Sequence, residues 1–229
     1  MLQYSYLLLD ADGTLFDFEK AQRLAFYQLM KSIEHPFDED IYTRYREINA
    51  YYWGALERAE VAKEALAVLR FQDLFGELGV SFDPANANRQ YLHYLGEGDY
   101  LLPGAWETCK RLSAHCTMAI VTNGIAAAQR RRISKSKIAS LISHIIVSEE
   151  AGAAKPDKRF FDFAFQQCGL SDKSHVLMVG DSLEADIQGG FSYGLDTCWV
   201  NPLGIPAPPG LPITATITDI RQLCAVVLQ

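Results

Sequence analysis

The chain has 229 residues, of which 49% are hydrophobic and 21% charged, and it carries a formal net charge of −7. This length suits one domain, or a core domain with a smaller insert, that buries its core without disulfides or structural metals. The negative charge argues against nucleic acid polymers and anionic membranes as partners, although a small anionic substrate could still bind a locally positive pocket.

The cysteines and the N-terminus indicate a cytoplasmic protein. The five cysteines are odd in number and form no Cys-x-x-Cys pair, which is typical of reduced thiols. The first ten residues, MLQYSYLLLD, have no basic residue before a short apolar run, unlike a signal peptide. We therefore expect a cytoplasmic monomer or homodimer with no membrane partner.

Short apolar runs that each end in polar residues predict buried parallel strands. The runs cover residues 6–9, 118–121, 145–147, 176–179 and 197–200. Helical patterns between them predict a doubly wound, Rossmann-like α/β fold. In such a fold ligands bind beyond the carboxyl ends of the strands, where these polar residues lie.

The segment between the first two strands is far longer than a βα connection needs. It has helical patterns at residues 21–33, 39–53 and 61–78. We predict an α/β core domain of residues 1–16 and 97–229, with an inserted helical cap domain of residues 17–96.

Asp10 and Asp12 follow the first predicted strand in the run LLLDADGTLFD. A carboxylate at a strand end can attack phosphorus and form an aspartyl-phosphate. A second carboxylate two residues later can protonate the leaving oxygen and then activate water. A simple Asx turn would also explain Asp-x-Asp-Gly, but the longer pattern after an apolar strand favours catalysis.

Asp181 and Asp186 follow a later strand in the run GDSLEADI. Carboxylates gathered near Asp10 would repel one another unless a cation lay among them, and Mg²⁺ suits such oxygen ligands. The alternative is a helix start at which Asp181 or Ser182 is the N-cap.

Two further motifs are candidates for binding phosphate. Thr122, Asn123 and Gly124 could hold it with a hydroxyl and backbone N–H groups at a helix start, although Asn-Gly is also a common turn. Lys155, before Pro156, could offset negative charge, or could be a solvated lysine. The basic run QRRRISKSK at 129–137 is predicted to be a solvated helix face.

The motifs DADGTLFD, TNG, KP and GDSLEADI, in this order, resemble those of the haloacid dehalogenase superfamily of hydrolases. The resemblance implies a helical cap of the C1 type, Asp10 as the nucleophile and Asp12 as the general acid/base. It implies Mg²⁺ held by Asp10, the backbone carbonyl of Asp12 and Asp181, with Asp186 close by. Thr122 and Lys155 would bind the phosphate of a small phosphorylated metabolite.

Within the superfamily, the chain is similar to bacterial pyrimidine 5′-nucleotidases, although Leu9 and Gly13 depart from their pattern. Matching segments include residues 102–105, 148–150, 154–156 and 176–181, together with Asn49 and Trp53. Asn49 and Trp53 are four apart on one predicted helix face and could line a base pocket, unless Trp53 is core and Asn49 is solvated.

Other functions are compatible with part of this pattern. A phosphatase for phosphoglycolate or a sugar phosphate would share the core motifs. A 2-haloacid dehalogenase would share the aspartate nucleophile but would need neither metal nor Asp12. A binding protein that had lost the chemistry would not need an intact motif set.

Overall fold

The computed structural model describes residues 3–58 and 60–228, apart from the Glu57 side chain. By its internal contacts the chain divides into two compact units. The sheet unit comprises the residues up to Phe18 and from Asp99 onward, and the helical unit comprises Glu19–Gly98. These limits lie two residues from the boundaries predicted for the core and cap domains.

Among the described residues, six parallel strands form one sheet in the order β3-β2-β1-β4-β5-β6. This confirms the predicted Rossmann-like α/β class, and the order changes direction beside β1. The strands are β1 (Tyr6–Leu9), β2 (Thr117–Thr122), β3 (His144–Val147), β4 (Val176–Gly180), β5 (Asp196–Val200) and β6 (Ala215–Ile217). The sixth strand was not predicted, because three residues at a sheet edge leave too short an apolar run to recognise.

Helices cover both faces of the sheet, as a parallel sheet requires. Those of the sheet unit are α5 (Ala105–Leu112), α6 (Ala126–Lys135), α7 (Ser148–Ala151), α8 (Lys158–Cys168), α9 (Gly189–Tyr193) and α10 (Leu223–Val227). A π-helix spans Leu183–Gln188, and short 3₁₀ turns span Ala139–Leu141 and Ile220–Gln222.

Residues of β1 alternate between two apolar clusters, because successive strand side chains point to opposite faces. Leu7 and Leu9 pack in one cluster with residues of α5 and α10. Leu8 packs in the other cluster with Phe160 and Phe161 of α8. Both faces of β1 are therefore buried, which fixes the position of the residues that follow it.

The helical unit is built from α1 (Phe18–Ser32), α2 (Glu39–Glu57), α3 (Lys63–Leu78) and α4 (Pro84–Leu95). Asp38 caps α2 by accepting from Ile41 N (2.8 Å), and Asp83 caps α4 just before Pro84. Its core is aromatic, with Tyr45 stacked on Phe26 at 4.4 Å between ring centroids. Within the described residues, no helix combines the length and apolar character that crossing a membrane requires.

Replacing Phe161 with alanine should lower the free energy of unfolding by about 3–5 kcal/mol, because Phe161 is fully buried beneath the sheet. The measurement is urea denaturation followed by circular dichroism. Phe191→Ala is the control, since Phe191 is about half exposed and should cost much less. Equal losses in the two variants would contradict the packing described for α8.

Candidate active site

Polar residues from three neighbouring strands meet at the carboxyl edge of the sheet. Asp10 directly follows β1, Thr122 ends β2, and Asp181 directly follows β4. Because β1 lies between β2 and β4, these residues come from adjacent strands. The edge therefore gathers candidates that the sequence separates by up to 171 positions.

Lys155 reaches this edge from the loop before α8 and is only 4% exposed. Its ammonium donates to Asp10 Oδ1 (2.6 Å), Asp186 Oδ1 (2.6 Å) and the carbonyl of Val121 (2.9 Å). Burial alone would lower the pKa of Lys155, but the two carboxylates outweigh it and raise that pKa above its ordinary value. Lys155 is therefore a buried cation, not a solvated lysine.

The side chain of Asn123 holds Lys155 in place. Its Nδ2 donates to the Lys155 carbonyl (2.9 Å), and its Oδ1 accepts from the Lys155 N–H (2.9 Å). These two bonds fix the Lys155 backbone. The predicted contact of Asn123 with substrate stays a prediction, and the observed contacts assign it a positioning role.

A π-helix turns Asp186 back toward the strand edge. Ser182 is its N-cap and accepts from Ala185 N (3.1 Å), while the Ser182 N–H donates to Asp186 Oδ2 (3.1 Å). A Cβ at Gly180 would collide with the Asp186 carboxylate. Ser182, not Asp181, is thus the helix cap, and Asp181 remains available to the site.

Two further residues hold Asp181, one through its backbone and one through its side chain. The indole of Trp199 donates to the Asp181 carbonyl (3.0 Å), and the hydroxyl of Thr14 donates to Asp181 Oδ1 (3.4 Å). Trp199 comes from β5, the strand beside β4. Pairing of these strands therefore helps to fix Asp181.

Asp10, Asp181 and Asp186 each place a carboxylate oxygen within 4.8 Å of the others. Burial and the carboxylates of Asp186 and Asp181 raise the pKa of Asp10 well above its ordinary value, against the opposing effect of Lys155. Asp181 is exposed as a residue, but protein atoms surround much of its carboxyl group. This partial desolvation, together with the carboxylate of Asp186, raises the pKa of Asp181 to about 6.

Three carboxylates face one ammonium in this cluster, which leaves two negative charges in excess when all are ionised. A hard divalent cation with oxygen ligands would balance that excess. The donor set therefore fits Mg²⁺, with Asp10, Asp181 and Asp186 as the residues that could hold it.

Asp12 lies in a different environment from the other three acids. Its Oδ2 accepts from Gln129 Nε2 (2.7 Å), and its Oδ1 forms an ion pair with Arg132. The guanidinium carbon of Arg132 lies 4.9 Å from the ring centroid of Phe16. The carboxylate of Asp12 is thus held by residues of α6, apart from the cluster of Asp10, Asp181 and Asp186.

The prediction that residues 129–137 form a solvated face is wrong for four of its members, which are buried: Gln129, Arg132, Ile133 and Ser136. Gln129 and Arg132 are 3% and 1% exposed. Their spacing of three places them on one face of α6, which is turned toward Asp12. The sequence contains this spacing, but the many charged residues of the run favoured the interpretation of a solvated face.

Thr122 is buried with its hydroxyl already engaged as an acceptor. Its Oγ1 accepts from Gly124 N (3.0 Å) and from Gln129 Nε2 (3.1 Å). Two accepted bonds leave the single hydroxyl hydrogen to donate. This arrangement suits an acceptor-rich ligand such as phosphate.

Asn49 and Trp53 lie on α2 of the helical unit. Asn49 is buried, and its Oδ1 accepts from Arg70 Nη1 (2.7 Å), so it is not solvated. Arg70 also donates to Asn88 Oδ1 (2.7 Å). Trp53 is half-buried. Their predicted role in a base pocket stays a prediction.

The chain matches known proteins along most of its length. HAD-hydrolase YfnB of Bacillus subtilis is 35% identical over 97% of this chain and 95% of its own. Pyrimidine 5′-nucleotidase YjjG of Escherichia coli is 32% identical over 97% of both chains. Pyrimidine 5′-nucleotidase PynA of Streptococcus pneumoniae is 36% identical over 87% of this chain and 84% of its own.

The crystal structure of YfnB bound to magnesium superposes on this chain with a TM-score of 0.91 and 34% identity, covering 98% of this chain and 99% of that one. The family model for haloacid dehalogenase-like hydrolases matches residues 4–194, a span that contains every candidate residue described above. Similarity on this scale shows that the chain belongs to the haloacid dehalogenase-like hydrolase family and is an enzyme.

Proposed function

We propose that the protein is a Mg²⁺-dependent phosphomonoester hydrolase that acts through an aspartyl-phosphate on Asp10, with pyrimidine nucleoside 5′-monophosphates as substrates. The observation that carries this proposal is the division of four acids between two environments. Asp10, Asp181 and Asp186 form a negatively charged cluster beside Lys155, while Asp12 is held separately by Arg132. The proposed acid/base group is thereby separated from the proposed nucleophile and metal site.

In the proposed reaction, a carboxylate oxygen of Asp10 attacks phosphorus as the bond to the ester oxygen breaks. Asp12 gives its proton to the departing alkoxide. Water then attacks the aspartyl-phosphate while Asp12 takes a proton from it, which releases phosphate and restores both acids. A 2-haloacid dehalogenase needs no such second acid, so Asp12 favours phosphate chemistry.

Asp10, Asp181, Asp186 and the backbone carbonyl of Asp12 are the proposed ligands of Mg²⁺, which supplies positive charge to offset that of the phosphate when bound. Lys155 neutralises part of the charge on Asp10, so that an anionic phosphate can approach a carboxylate nucleophile. Thr122, with its hydroxyl oriented to donate, and the N–H groups after it are the proposed phosphate ligands.

The proposed choice of pyrimidine nucleotides rests on the relatives YjjG and PynA, which are named pyrimidine 5′-nucleotidases. Their similarity extends through the helical unit, where Asn49 and Trp53 are the proposed base-binding residues. With its Oδ1 committed to Arg70, Asn49 would offer its Nδ2 group to a carbonyl oxygen of the base.

Chelation of divalent cations with EDTA should abolish turnover of p-nitrophenyl phosphate, and added Mg²⁺ should restore it. Asp181→Asn should raise the Mg²⁺ concentration for half-maximal rate by about tenfold or more, because one charged ligand is lost from the set. Titration of the rate with Mg²⁺ measures both effects. Full turnover after exhaustive chelation would contradict a metal-dependent reaction.

Asp10→Asn should reduce turnover below detection while the protein stays folded, because an amide oxygen is a poor nucleophile toward phosphorus. Release of inorganic phosphate is the measurement, with circular dichroism to follow the fold. Asp40→Asn, at an exposed position on α2, is the control and should keep the wild-type rate. Wild-type activity in Asp10→Asn would rule out this nucleophile.

Asn49→Asp and Trp53→Leu should each raise KM for uridine 5′-monophosphate and leave kcat/KM for p-nitrophenyl phosphate unchanged, because the second substrate has no base. The aspartate removes the Nδ2 donor that Asn49 offers, and the negative charge that it adds is paired with the buried Arg70, for which it keeps an acceptor. Tyr51→Leu is the matched control, since Tyr51 lies on the same helix and is 64% exposed. An unchanged KM in both variants would exclude the proposed base pocket.

A further inference from the structure

Every hydrogen-bonding group of the Gln129 side chain has a partner near the carboxyl edge of the sheet. Its Nε2 donates to Asp12 Oδ2 (2.7 Å) and to Thr122 Oγ1 (3.1 Å). Its Oε1 accepts from Arg132 Nε (2.8 Å). One amide therefore touches the proposed acid/base, a proposed phosphate ligand and a buried cation.

The surroundings allow only one orientation of this amide. Turning it over would place Oε1 against the carboxylate of Asp12 and the NH₂ group against the guanidinium of Arg132. Both contacts would be repulsive, because an acceptor would face an acceptor and a donor would face donors. The positions of the two hydrogens on Nε2 are thereby determined.

Arg132 fixes the same group from the other side. Its Nε holds Gln129 while its Nη2 pairs with Asp12 Oδ1, so both carboxylate oxygens of Asp12 are occupied. A guanidinium this deeply buried needs its charge compensated, and Asp12 provides the compensation when it is ionised. The rings of Phe16 and Phe18 lie 4.9 Å and 6.0 Å from the guanidinium carbon and limit its movement.

Gly124 provides the space that Gln129 needs. A Cβ at this position would overlap the side chain of Gln129. Gly124 also donates its N–H to Thr122 Oγ1 (3.0 Å), beside the bond from Gln129. The Thr-Asn-Gly motif and the polar face of α6 therefore fit each other as one unit.

We propose that Gln129 and Arg132 are positioning residues for the reaction, and that Gln129 couples the orientation of Asp12 to that of the Thr122 hydroxyl. The inference rests on the proposed phosphatase function and extends it to residues outside the four motifs. Arg132 holds Asp12 directly and acts on Thr122 only through Gln129. Loss of Gln129 should therefore disturb both proton transfer and phosphate binding, whereas loss of Arg132 should disturb mainly proton transfer.

The test compares two esters within each variant. An alkoxide must be protonated as it leaves uridine 5′-monophosphate, but p-nitrophenolate leaves without a proton, so misplacement of Asp12 slows formation of the aspartyl-phosphate from the first ester only. Hydrolysis of that intermediate is common to both esters, so the comparison uses kcat/KM, which reports the step that forms it. The ratio of kcat/KM for uridine 5′-monophosphate to kcat/KM for p-nitrophenyl phosphate should fall about tenfold or more in Gln129→Met, Arg132→Met and Arg132→Lys. A partly unfolded sample lowers both rates equally, so the ratio does not depend on the folded fraction.

Inhibition by inorganic phosphate provides the second measurement. The inhibition constant should rise about threefold or more in Gln129→Met, because Thr122 loses one of the bonds that orient its hydroxyl. The rise should be smaller in Arg132→Lys, which leaves that bond in place. Equal inhibition constants in wild type and Gln129→Met would overturn the coupling to Thr122.

Arg131→Met is the matched control, because Arg131 neighbours Arg132 on α6 but is exposed. Its ratio of kcat/KM values should equal that of the wild type. If Gln129→Met and Arg132→Met keep this same ratio, the positioning role is refuted although the phosphatase function stands. If the wild-type enzyme with Mg²⁺ hydrolyses neither ester, the proposed function fails, and this inference fails with it.

Discussion

The candidate active site at the carboxyl edge of the sheet depends on the buried ammonium of Lys155. Strand pairing brings the carboxylates of Asp10 and Asp186 so close that both accept from one nitrogen, at 2.6 Å each. Without a cation between them, two acids in a site shielded from water would repel, and one would lose its charge. Asn123 holds the backbone of Lys155, and the carbonyl of Val121 accepts the third hydrogen bond that its ammonium donates. The geometry of Asp10, the proposed nucleophile, is thus set by a loop that is distant in sequence.

Two acids separated by one residue have partners of different kinds. Asp10 faces Lys155 and further carboxylates, whereas Asp12 faces Arg132 and an amide. Paired acids in enzymes take different roles when their surroundings differ in this way. A bend at Ala11 separates the two residues, so that one side chain lies at the crowded sheet edge and the other contacts α6. The local backbone and the tertiary packing together give Asp10 and Asp12 the different surroundings that their proposed roles require.

The sequence predicted those features that depend on short-range pattern. Five of the strands were readable as apolar runs, and Asp10, Thr122 and Asp181 were readable because each stands where a strand ends. Features that depend on tertiary contact were not readable. The burial of Gln129 and Arg132 becomes evident only when α6 is placed beside Asp12, since charged residues are seldom buried unless paired. The π-helix that returns Asp186 to the edge has no simple periodic signature either.

The proposed active site would engage groups that every phosphate monoester shares. Carboxylates, an ammonium and a threonine hydroxyl can distinguish a phosphate from a neutral ligand, but they contact nothing that differs between a nucleotide and a sugar phosphate. Selectivity therefore requires polar groups outside this edge. The helical unit contains one such set, in which Arg70 is buried against Tyr91 and Phe71 and donates to Asn49 and Asn88. Burying a guanidinium is costly, and two amide carbonyls stabilise it while keeping its charge. An amide oriented by such a cation presents a fixed donor, which is the kind of group that can select a base carbonyl.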